Sequence, residues 1–164
     1  MLLSIRVKKE PNSQSVLTVG RPDGTTTYSR IHNNFEIHDI AHYVVEEQLG
    51  FKNAFYGLLS QGYQIDEFQL PKEIRPIRLR PEHIPQEALV TEHLVNLLTI
   101  DFMQPESKMD IFQTFKTILI DKNLPFPKSL DNEKLASIQK GLSDLMYRWN
   151  ELKNGQELTL ELRL

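Results

Sequence analysis

His38 and His42 stand four residues apart in HDIAHYVVEE, residues 38–47, in a chain with five histidines. One helical turn separates positions i and i+4, so the two imidazoles can meet a single divalent ion. Glu46 continues the row one turn further, giving His-x3-His-x3-Glu, and Asp39 follows the first histidine directly. Imidazole and carboxylate are the donors that zinc takes when no thiolate is offered, and this chain has no cysteine. Disulfides, thiol nucleophiles, Cys-bound zinc and iron–sulfur clusters are therefore excluded.

At 100° per residue, Phe35, His38, His42, Val45 and Leu49 share one sector of a helix, with Asp39 and Glu46 at its edge. Ile37, Ile40 and Val44 occupy the opposite side. A helix apolar on nearly all sides is a buried one, so both histidines are expected to point into packed protein. The spacing is that of the HExxH metallopeptidase motif, with Asp39 where the catalytic Glu would stand. Asp is one methylene shorter and reaches a bound water less easily, so its roles are that of catalytic group, of a carboxylate that orients an imidazole, or of a helix N-terminal charge. A catalytic zinc needs three protein ligands. The candidates for the third are Glu46 on the same helix and Glu92 or His93 on a later one. There Glu92, Asn96 and Thr99 form a polar stripe, and His93 falls among Leu89, Leu97 and Ile100. The competing reading makes the histidines core residues bonded to a carbonyl or carboxylate. His32 and His83 lie at element ends.

The elements that must position these groups follow from local pattern. Leu2 to Lys8, Ser15 to Val19 and Thr25 to Ile31 read as strands around the turn residues of GRPDG. Asn33 and Glu36 form a candidate capping box for a helix from about Asn34 to Leu49, stopped by Gly50. A short helix over Lys52–Ser60 contains Gly57, a costly choice in a helix that implies close packing. Leu70 to Pro85 carries four prolines and reads as a linker or covering loop. Helices are expected at Gln86–Phe102, Lys108–Asp121 and Asp131–Leu152, the last capped by Asp131. After the turn at Asn154-Gly155, ELTLELRL alternates strictly and should join the N-terminal sheet.

Residues 1–164 are thus expected to form one α+β domain, mainly helical, with four or five helices on a small antiparallel sheet. The formal charge of −3 argues against a nucleic-acid partner. No apolar run reaches the length of a membrane span, and the N-terminus lacks the order of a secretory signal, so a cytoplasmic protein is expected. The basic stretch Lys72, Arg75, Arg78 and Arg80 is either a solvated loop or a clamp for a phosphate or carboxylate. Phe51, Phe55, Tyr56 and Tyr63 fit core packing better than ligand stacking. Dinucleotide, P-loop and G-x-S-x-G hydrolase motifs are absent.

His38, Asp39, His42, Val45 and Glu46, followed by Gly50, Phe51, Phe55, Gly57, Leu58, Gly62 and Tyr63, resemble a pattern found in a set of small bacterial proteins. Those share HDxxHxxVE followed by GFxxGFxGLxAxGW, and the tail Trp149, Leu152, Gly155, Leu158, Leu160 and Leu162 also matches. The set has no assigned activity; the resemblance implies that the His-Asp-His-Glu row is a unit. Two partial resemblances depart from their patterns. The HDxxH zinc motif of a ubiquinone-biosynthesis protein would put its closing Glu at Ala54. The HD phosphohydrolases would need an earlier helical histidine where this chain reads as strand. The expected function is a divalent-metal site, zinc foremost, whose chemistry as an enzyme would be metal-dependent hydrolysis and whose partner is a small molecule or peptide. The alternative is a non-enzymatic interaction or ligand-binding protein with structural histidines.

Overall fold

The computed structural model describes residues 1–12, 14–31 and 35–164. The capping box at Asn33, the helix start at Asn34 and His32 lie outside the described residues. Three N-terminal strands, β1 (Leu2–Glu10), β2 (Gln14–Gly20) and β3 (Thr26–Ile31), form an antiparallel meander, and β4 (Glu157–Arg163) pairs with β1. The sheet order is β3-β2-β1-β4. Alternation decides which face is buried: Leu3, Ile5 and Val7 of β1, Leu17 and Val19 of β2, and Leu158, Leu160 and Leu162 of β4 all point inward. The β2–β3 connection is a three-residue turn. Gly24 N donates to Arg21 O and Arg21 N to Thr25 O, and Gly24 takes the positive φ of 85° that such a hairpin needs.

Helix α1 (Glu36–Leu49) packs against α3 (Gln86–Met103) and α5 (Asn132–Glu151) and touches β4. Gly50 ends it in the left-handed region, φ 69°. The core draws on every strand, on α1, α3 and α5, and on α2 (Phe55–Ser60) and α4 (Ile111–Asp121). Asp131 caps α5 as expected, accepting from Lys134 N at 2.7 Å. Helix α4 begins three residues later than its sequence suggests, because Lys108 is left-handed and Asp110 takes the cap, accepting from Gln113 N at 2.9 Å. Helix α2 also starts late. Residues 52–54 form a turn whose Lys52 and Asn53 amides are held by the Glu87 carboxylate.

The proline-rich stretch is a covering loop rather than a linker. Leu79 is buried against Leu58 and Ala88 and pins it down. Its basic residues serve the loop itself. Arg75 donates to Leu70 O, Arg80 to Arg75 O, Lys72 pairs with Glu82, and Arg78 reaches Asn53 Oδ1. None of the four lines the cleft described below, so they form no anion clamp there.

Candidate metal centre

Helices α1 and α3 bring the site together. His38 Nε2 lies 3.2 Å from Glu92 Oε1, and His42 Nε2 lies 3.2 Å from Glu92 Oε2. One ligand atom from each of the three residues falls within 4.8 Å of the others. With bonds of 2.0–2.1 Å, neighbouring ligands of a tetrahedral zinc stand about 3.3 Å apart, so each imidazole–carboxylate separation is close to one edge of such a site. The polar stripe of α3 is the side that faces α1, and Asn96 Nδ2 steadies Glu92 Oε1 at 3.2 Å. Glu92 is half-exposed, His38 partly so, and His42 is buried.

His42 is buried, as the helix wheel leads one to expect, whereas His38 is only partly so, and both line an open cleft of about 940 Å³. Residues of β2 and β3, α1, the turn at Ile65–Gln69 and α3 enclose it. The Ile37, Ile40, Ala41 and Val44 face of α1 is buried, and Val45, Glu46 and Leu49 are buried beyond His42, so the cleft meets the helix only at His38, Asp39 and His42. A chain of rings lines this wall: Phe35 stands 5.8 Å from His38, His38 4.8 Å from His42, His42 5.3 Å from Phe55, and Phe55 5.1 Å from Phe68. Phe55 is thus half core and half cleft, beyond the purely packing role its spacing suggests.

Glu46 does something other than join the Glu92 cluster. Its buried carboxylate accepts from Tyr56 N and Gly57 N, both at 3.1 Å, and caps the first turn of α2. The same carboxylate lies 3.4 Å from His42 Nδ1, behind the imidazole. That separation is longer than a good hydrogen bond, and Nδ1 has no hydrogen-bond partner. A carboxylate behind an imidazole whose Nε2 faces a second carboxylate in front is an arrangement that can orient a metal-binding histidine. Gly57 has to be glycine here, because a Cβ would collide with the Lys52 carbonyl. The close packing inferred from its place in a helix therefore has a physical cause.

His93 lies outside the three-residue cluster. Asp39 lines the cleft beside the histidines but likewise stands outside the ligand group. Burial pushes its carboxyl up to about 6 against the pull of His42 and His38. For His42, burial favours the neutral ring, but the hydrogen bonds and charges of Glu46 and Glu92 outweigh it and raise the imidazole to about 9. Contacts from His38 and His42 hold Glu92 well below the usual carboxylate range.

Two supports escape a reading of the sequence. Tyr56 is fully buried and donates from its hydroxyl to Asp39 O at 3.0 Å, tying α2 to the middle of α1. Arg21, also buried, donates to Leu59 O and Tyr63 O, each at 2.6 Å, and closes the far end of α2. The one available signal was arginine in a strand-end position flanked by turn residues, which has many explanations. Protein-family models, curated proteins and solved structures were all compared with this chain, and none matches it.

Proposed function

We propose that the cleft is a metal centre, with His38 Nε2, His42 Nε2 and the Glu92 carboxylate as ligands of one divalent ion, zinc foremost. The observation that carries this is the meeting of three metal-ligating side chains from two helices on the wall of an open cleft. Three protein ligands with space beside them is the pattern of catalytic rather than structural zinc. We further propose metal-dependent hydrolysis. The ion would supply a coordinated water of lowered pKa and a polarising charge for a carbonyl or similar group. Asp39 lines the same cleft, and with its carboxyl raised to about 6 it would serve as the proton acceptor and donor in such a hydrolysis. Glu46, behind the ring at 3.4 Å from Nδ1, would orient the imidazole so that Nε2 is turned toward the ion.

One observation favours the rival reading, a non-catalytic binding protein: each histidine Nε2 already faces a Glu92 oxygen, so the row is close to self-satisfied. Cobalt(II) separates the two. Added to chelator-treated protein, it should bind one per chain with the visible absorption of a low-coordinate N/O site, and Glu92→Ala should lose that band while keeping its helical circular dichroism. A wild-type protein that takes up no cobalt would establish the rival.

A further inference from the structure

We infer that the metal cleft takes an extended peptide, which pairs as an added strand with the outer edge of β3; this rests on the metal-centre reading above. Tyr28, Ser29, Arg30 and Ile31 all line the cleft. Successive residues of a strand point to opposite faces, so four in a row can border one cavity only along the backbone edge. The Arg30 side chain bears this out, since its guanidinium turns along the sheet to Gln14 Oε1 at 3.3 Å. β3 is the outermost strand, and among the described residues no other element makes a backbone hydrogen bond to its free side.

The register says which groups are free. The Arg21 N to Thr25 O bond makes that pair a hydrogen-bonded one, and such pairs alternate along an antiparallel ladder. Val19–Thr27 and Leu17–Ser29 are therefore bonded pairs, whereas Thr18–Tyr28 and Val16–Arg30 are not. The N–H and C=O groups of Tyr28 and Arg30 consequently point outward, into the cleft. Two donors and two acceptors at strand spacing match one extended backbone, and few other ligands present that repeat. Alternate side chains of the guest would meet the apolar wall of Phe55, Phe68 and Leu89, which selects Leu- or Phe-like residues near the reacting bond. Edges left open in this way are ordinarily blocked by charge, proline or a covering segment. Here the turn at Ile65–Gln69 meets β3 at Thr27, where Ile65 N donates to Thr27 Oγ1 at 3.1 Å.

The chemistry is hydrolysis of the guest's amide. Water oxygen bonds to the carbonyl carbon, the C–N bond breaks, and the departing nitrogen takes one of the water's protons. The products are one carboxylate and one amine, and no further reactant is needed.

The test uses full-length zinc-loaded protein and a library of acetylated, amidated decapeptides with Leu or Phe fixed at the centre. Mass spectrometry should find a subset cut beside the fixed residue. The best of these, remade with a reduced scissile bond, should slow hydrogen exchange of the Tyr28 and Arg30 amides while Thr27 and Ser29 change little. N-methylating a guest amide that faces the edge should weaken binding about three- to tenfold per bond lost. Zinc-loaded protein that cleaves a small ester but no library peptide, or a bound peptide that leaves Tyr28 and Arg30 exchange unchanged, would overturn the peptide inference and leave the metal centre standing. Failure to take up zinc would remove both.

Discussion

His42 is gripped from two sides, Glu92 in front at 3.2 Å and Glu46 behind at 3.4 Å. Replacing Glu46 with Gln keeps an acceptor for one α2 amide but removes the charge behind the ring. Affinity for zinc should fall about 10–100-fold, as for other orienting partners, with the ligand set intact. Calorimetric titration checks this, and an unchanged affinity would deny Glu46 its orienting role. Ligand and bystander separate as sharply: His42→Ala should abolish stoichiometric binding, and His93→Ala should leave it within about twofold, below any ligand-sized effect. The pH dependence has a defined sign. His42 is raised from 6.5 to about 9 in the metal-free protein, so its contribution to stability is present below 6.5 and disappears as pH rises through about 9. Asp39 is raised from 3.8 to about 6 and adds a loss in the same direction at lower pH. Metal binding needs the neutral imidazole, so zinc affinity should climb over that same range. Melting temperatures should therefore fall from pH 6 to pH 9 without metal and hold or rise with saturating zinc; parallel curves would contradict this. At this scale the sequence was partly legible. The i, i+4 spacing is local and pointed to His38 and His42. The third member of the cluster comes from a contact between α1 and α3, and nothing in either segment alone distinguishes Glu92 from Glu46 or His93.

Helix α2 is only six residues long, and no side chain from its own N-terminus caps it. Its first turn is held by Glu46 and its last by Arg21, both from other elements. Gly57 is the position at which α2 rests on the preceding turn, and Gly57→Ala should destabilise the protein by about 3 kcal/mol through overpacking against backbone. For a chain of this size that lowers Tm by about 6–12 °C, measurable by calorimetry. A change under 2 °C in Tm, roughly 1 kcal/mol or less, would mean that the turn yields. Elements whose own residues supply the pattern and the cap were legible: the four strands by period-two alternation, α5 by Asp131. The late starts of α2 and α4 were not. The first depends on Glu87, thirty-odd positions away, and the second on a left-handed Lys108 that no propensity demands.

On the scale of the whole chain, the cleft lies between β3, the outer strand of the sheet, and the helices α1 and α3. At the opposite edge β4 is the outer strand, paired with β1 from Leu2–Arg163 to Lys8–Glu157. The pairing of the C-terminal strand with the N-terminal sheet could be anticipated from alternation. The opening could not, since a helix wheel reports an apolar face without saying whether protein or space lies opposite. A ligand that joins α1 to α3 should stabilise the whole fold. At a free concentration 100 times its Kd, zinc should add about 2.7 kcal/mol and raise Tm by about 5–10 °C, with no rise in Glu92→Ala. The most direct test is elemental analysis of protein purified without a histidine tag and without chelator. The expected result is one divalent metal ion per chain in the wild type, with loss of that metal in a folded His42→Ala variant. Wild-type protein that is free of metal, and stays so after dialysis against zinc, would contradict the metal centre.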